Sequence, residues 1–109
     1  MLIPIIHTIK NTGYVAGTSE GVVTVGGTPA SRKVYALDAV TLGRVQTTKS
    51  LPSGHYLITN LDPSKQHLIM ARDHNKEYEP AVWDYVTPAT DLTIQQQQEL
   101  WESWQNANY

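Results

Sequence analysis

The chain contains no cysteine and no phenylalanine, is poor in charge, and has no long apolar run. Without cysteine there is no disulfide framework, no thiolate nucleophile and no cysteine-held zinc or iron–sulfur site. A basic excess is missing too, since 8 Lys and Arg against 10 Asp and Glu leave a net charge of -2. Phosphate-backbone binding needs Lys and Arg gathered on one face, so nucleic acid is not an expected partner. No stretch approaches the roughly 18 apolar residues of a membrane-spanning helix, and no membrane partner is expected either. The apolar opening from Met1 to Ile9 has no basic region before it, is interrupted by Pro4 and His7, and reaches Lys10 without a small-residue cleavage site. It does not read as a signal peptide, and the expected product is soluble and made in the cytoplasm.

What is present points to one domain. At 109 residues with 40% hydrophobic content, the chain is apolar enough to fold and too short for a second core. Turn signals divide it at intervals of about 8 to 12 residues, the spacing of an antiparallel sandwich or barrel. Gly21 to Val25 reads as a strand stopped by Gly26-Gly27-Thr28-Pro29. Arg32 to Asp38 alternates, with Val34, Ala36 and Asp38 on one side and Lys33, Tyr35 and Leu37 on the other. Arg44 to Lys49 follows a turn at Thr41-Leu42-Gly43 and reads as its hairpin partner. His55 to Asn60 is a further strand, and His67 to Arg72 has the apolar run of a central one. Tyr78 to Val86 contains Pro80, which cannot donate to a ladder and belongs at an edge or a strand start. Residues 1–12 read as an arm or an added strand, 13–90 as the sandwich and 91–109 as a helical end.

That end differs in kind. Thr93-Ile94-Gln95-Gln96 has the form of a capping box and good helix formers follow, predicting a helix from Ile94 to Asn106. Gln97, Leu100, Trp101 and Trp104 fall at i, i+3, i+4 and i+7, a narrow stripe. So short a helix is marginal alone, so the stripe must dock on its own domain or on a partner. Leu100, Trp101 and Trp104 are therefore candidate interaction residues, and tryptophan is enriched at binding hot spots.

Chemistry-bearing constellations are weak. His7, His55, His67 and His74 form no ligand motif; His55 and His67 facing each other across neighbouring strands, with Asp73 and His74, is the only zinc arrangement to be considered. Ser53-Gly54-His55 places a hydroxyl beside an imidazole, but in a tight turn and without a nucleophile elbow. Asp73, Glu77, Glu79 and Asp84 read as solvated carboxylates. Gly26-Gly27 precedes a strand and not a helix, so the amide cradle of a nucleotide site is missing. No catalytic residue, metal or cofactor is expected. Tyr35 and Tyr56 are needed as core filler in a chain without phenylalanine, whereas Trp83 and Tyr85 remain open as a binding platform.

The succession Gly27-Thr28-Pro29-Ala30, Arg32-Lys33-Val34-Tyr35-Ala36-Leu37-Asp38, Gly43-Arg44-Val45, Ser53-Gly54-His55-Tyr56-Leu57-Ile58 and Asn60-Leu61-Asp62-Pro63 resembles the carboxypeptidase regulatory-like domains of transthyretin-like fold. With Ala71-Arg72-Asp73 and Tyr78-Glu79-Pro80-Ala81-Val82-Trp83-Asp84-Tyr85-Val86-Thr87-Pro88, it is most similar to the short stand-alone type found among the tail genes of tailed bacteriophages. The resemblance covers about Gly21 to Pro88. It implies an all-β fold, a seven-stranded transthyretin-like or Ig-like antiparallel sandwich. It also implies a non-enzymatic virion protein of the tail or baseplate that binds neighbouring virion proteins, with possible self-association. Capsid decoration is the close variant; a carbohydrate- or receptor-binding module using Trp83, Tyr85 and the loop His74 to Glu77 is the alternative. The resemblance supplies no binding residue to carry over.

Overall fold

The structure is a computed structural model that describes residues 11–18, 21–72 and 81–109. The opening segment Leu2 to Ile9 and the loop His74 to Glu77 lie outside the described residues, and so does Pro80.

Alternating and β-branched segments become strands in the order β1 (Gly13–Gly17), β2 (Thr24–Val25), β3 (Thr28–Pro29), β4 (Lys33–Asp38), β5 (Arg44–Lys49), β6 (Tyr56–Leu61), β7 (His67–Ala71) and β8 (Ala81–Val86). One helix, α1 (Ile94–Asn106), follows. The architecture is all-β in antiparallel sheets: a four-stranded sheet ordered β5-β4-β7-β8, a pair β1-β6 and a small pair β2-β3. As expected, β4 and β5 form a hairpin, β7 is central, and the strand after Pro80 is an edge.

Two strand assignments change. The described residues hold eight strands, not seven, because Gly13–Gly17 pairs with β6 and Thr28–Pro29 forms its own two-residue ladder. The strand expected over Gly21 to Val25 shrinks to Thr24–Val25. Gly26 and Gly27, with φ of 59° and 84°, turn the chain at once, and Pro29 lacks the N–H that would extend the ladder. Val23 instead leaves the strand and enters the core: its N–H donates to the Gly54 carbonyl (2.9 Å) and its carbonyl accepts from Ala30 N–H (3.0 Å).

The core draws on both larger sheets. Val34 and Ala36 of β4 and Ile69 and Ala71 of β7 meet Tyr56, Ile58 and Leu61 of β6, with Val23 closing one end. Because side chains alternate across a pleated strand, burying these turns Tyr35, Leu37, Leu68 and Met70 to the opposite face. The register places Tyr35 beside Met70, Met70 beside Val82, and Leu37 beside Leu68 there. All four of those side chains are half-buried, and Val82 is 51% exposed.

The two ends of the described chain are tied together at β1. Tyr14 and Ala89 exchange both backbone hydrogen bonds, at 3.0 and 2.8 Å. The Tyr14 hydroxyl donates to the Asp91 carboxylate at 2.5 Å. That hydrogen bond, then burial, then the Asp91 charge raise the Tyr14 phenol to about 12. A raised acid keeps its contribution to stability at every pH below its unfolded value near 10 and loses it as pH climbs through the folded value. Ultraviolet titration should therefore show one tyrosine ionising only near pH 12, with stability falling from pH 10 upward. Tyr14→Phe should remove that late step and cost about 1 kcal/mol, the usual net worth of one hydrogen bond. An unchanged high-pH titration in Tyr14→Phe would refute the assignment.

Candidate interaction surfaces

The first surface is the helix and what it rests on. The Thr93 hydroxyl accepts from Gln96 N–H (3.1 Å) while the Gln96 side chain accepts from Thr93 N–H (2.9 Å), so the capping box is complete. Gln97, the first residue of the stripe, is the one helix residue fully buried. Its amide donates to the carbonyls of Thr12 (2.9 Å) and Leu92 (3.1 Å), which satisfies a polar group that would be costly to bury unpaired. Trp101 borders a groove shared with Gln46 and Thr48 of β5 and Leu57 of β6. Trp104 meets the His55 ring edge-on at 5.3 Å and Trp101 at 6.2 Å, and Tyr109 covers His55 at 4.8 Å. The stripe thus lies on its own domain, with Leu100, Trp101 and Trp104 each half-buried.

This explains the Ser53-Gly54-His55 turn. Ser53 Oγ lies 2.7 Å from His55 Nδ1, and the same hydroxyl accepts from His55 N–H at 3.4 Å. The hydroxyl fixes the imidazole plane, and the ring serves as an aromatic seat for Trp104 and Tyr109. The zinc arrangement with His55 and His67 across neighbouring strands is not formed: β6 pairs with β1, while β7 pairs with β4 and β8. The chain changes sheet between Leu61 and His67, so the two rings do not share a ladder. His67 is buried on the inner side of its sheet, 1% exposed. Among the described residues no group of three or more His, Cys, Asp or Glu could hold a metal ion. No helix among them is long and apolar enough to cross a membrane.

No family model, curated protein or solved structure matches this chain.

Trp83 and Tyr85 separate. Trp83 pairs with Ile69 and packs half-buried against the core, while Tyr85 is 68% exposed. Between Trp83 and Val86 the edge strand carries Asp84 and Tyr85 opposite the single Leu68, a bulge. Tyr85 takes φ of 54°, a region that bulky residues avoid, and its N–H is held by Asp84 Oδ1 at 2.8 Å. The bulge aims the phenol away from the sheet and toward two loops.

Both loops are braced from within. Asp38 Oδ1 accepts from Val40 N–H (2.8 Å) and Thr41 N–H (3.1 Å), and these two bonds, ahead of the Lys65 charge, hold its carboxyl below the usual range. Asp62 Oδ1 accepts from Ser64 N–H at 2.9 Å and Ser64 Oγ at 2.6 Å. Ala39 N–H donates to the Gln66 carbonyl at 3.2 Å and joins the loops. Between them and Tyr85 lies an open cleft of about 570 Å³, lined by Asp38, Val40, Thr41, Lys65 and Gln66. Tyr85 stands out in the sequence but its loop partners do not, because their Asp, Thr, Ser and Lys composition is that of any turn.

Proposed function

We propose that the chain is a non-enzymatic structural protein of a bacteriophage virion, an accessory component of the tail or baseplate that binds neighbouring virion proteins. The fold is read as a transthyretin-like sandwich elaborated by the β2-β3 hairpin, and capsid decoration is the near variant of the same role. The observation that carries the reading is the outer face of the four-stranded sheet. Tyr35, Leu37, Leu68 and Met70 are only half-buried there, and Val45 and Val82 are 43% and 51% exposed. Contiguous apolar surface of this kind gains stability when a neighbour covers it. The resemblance of Gly21 to Pro88 to stand-alone tail-gene domains supplies the class of neighbour.

The test is composition of purified particles from the host that carries the gene, with the chain quantified by mass spectrometry in intact particles, isolated heads and isolated tails. The expected result is a fixed copy number in tails, retained through washing, and lost when Leu68 and Val82 are both changed to Lys. A chain abundant in the lysate and absent from every particle fraction would overturn the virion role. A fixed copy number in heads alone would move it to capsid decoration.

A further inference from the structure

We propose that the cleft beside Tyr85 is a binding subsite for a neutral saccharide chain, a role beyond assembly and independent of it. The starting point is a backbone cost at Tyr85. A bulky aromatic residue is held at positive φ and is 68% exposed, next to a cleft and not in the core. Strain of that kind at a rim, in an otherwise regular edge strand, marks a side chain placed for contact with something outside the fold.

The chemistry of the walls selects the class. Among the described residues, the Tyr85 hydroxyl, the Lys65 ammonium and the Gln66 carboxamide have no hydrogen-bond partner, so the cleft offers both donors and acceptors. Val40, 91% exposed, adds an apolar wall. An aromatic face beside convergent polar groups matches a pyranose, whose C–H face lies on the ring while its hydroxyls meet amide and ammonium. Anionic ligands fit poorly, because the single Lys65 is opposed by the ionised Asp38. A peptide added as a strand to β8 fits poorly as well. The bulge breaks that edge after Trp83 and leaves, among the described residues, three, Ala81 to Trp83, to pair with. The cleft is open and about 570 Å³ in volume, and the braced loops present it already formed.

The experiment is a titration of the isotope-labelled full chain, followed by amide and side-chain resonances, with maltoheptaose, cellohexaose, chitohexaose and a dextran oligosaccharide, each to about 10 mM, the range of weak single-site binding. At least one should shift resonances of Asp38 to Leu42, Lys65, Gln66 and Tyr85, with saturation. Tyr85→Ala should weaken that binding about tenfold or more, and Gln66→Ala by a smaller factor, while Tyr85→Phe keeps most of it. Tyr85→Gly, which relieves the backbone, should melt no lower than the parent and also lose binding, so loss of fold and loss of site are told apart. No saturable shift with any of the four sugars overturns the proposal. So does a shift that maps elsewhere or survives in Tyr85→Ala.

Discussion

Gly54→Ala should lower stability by about 3–5 kcal/mol, enough to leave so small a domain close to its unfolding threshold. Two costs combine. Gly54 sits at φ of 85°, where a Cβ meets its own carbonyl environment unfavourably. That Cβ would also run into the backbone of Val23, overlapping its carbonyl oxygen and standing 2.9 Å from its nitrogen. Val23 cannot retreat, because its side chain is 3% exposed in the core and its N–H is bonded to Gly54. Gly27→Ala is the control: its φ of 84° is nearly the same but none of the described residues beyond its chain neighbours lies within 4 Å of the added atom. It should cost only the conformational part, about 1–2 kcal/mol. Equal losses in the two variants, measured by denaturant unfolding, would mean that the Val23–Gly54 contact does not limit the fold.

The second large effect belongs to the helix stripe. Changing Trp101 and Trp104 together to Ala should cost about 3–4 kcal/mol, roughly half the value for two fully buried tryptophans, since each ring is half-buried. The helical signal should fall while the β signal persists. The capping box still starts the helix, but only Gln97, bonded to Thr12, and the half-buried Leu100 of the stripe then remain against the domain. Trp83 becomes the one remaining indole, and its emission should stay that of a ring packed on the core. A double variant that melts with the parent would show that the stripe adds nothing to the monomer. It would leave those rings to a neighbour, as the assembly role of the helix requires.

Much of this arrangement was legible in the residues, for physical reasons that can be named. Alternation from Lys33 to Asp38 told inner from outer face, because burial enforces a period of two on a pleated strand. The Thr93–Gln96 box told where the helix starts, because its partners are close in sequence. β1 was not legible as a strand: Gly13-Tyr14-Val15-Ala16-Gly17 is bounded by glycines and lacks an apolar alternation. Those glycines answer to contacts far along the chain, Gly13 to Pro88 and Leu61 and Gly17 to the Tyr56 ring. The cleft was half legible for the same reason. Tyr85 stands out as an aromatic near a proline, but only the sheet register brings Lys65 and Asp38 beside it.

The bridge between Tyr14 and Ala89, with the hydroxyl bond to Asp91 spanning 77 residues, also sets an order of events. A chain leaving the ribosome from its amino end makes β1 first and completes its partner groups last. Until Ala89 and α1 emerge, the described groups that close the outer edge of β1 and the Leu57 side of β6 are missing. Closure over so long a loop is slow, since the entropy of bringing distant segments together is lost before any contact rewards it. The interval is one in which β1 of one nascent chain can accept the carboxy-terminal segment of another. Intertwined dimers exchanging residues 89–109 are the misassembly this topology invites.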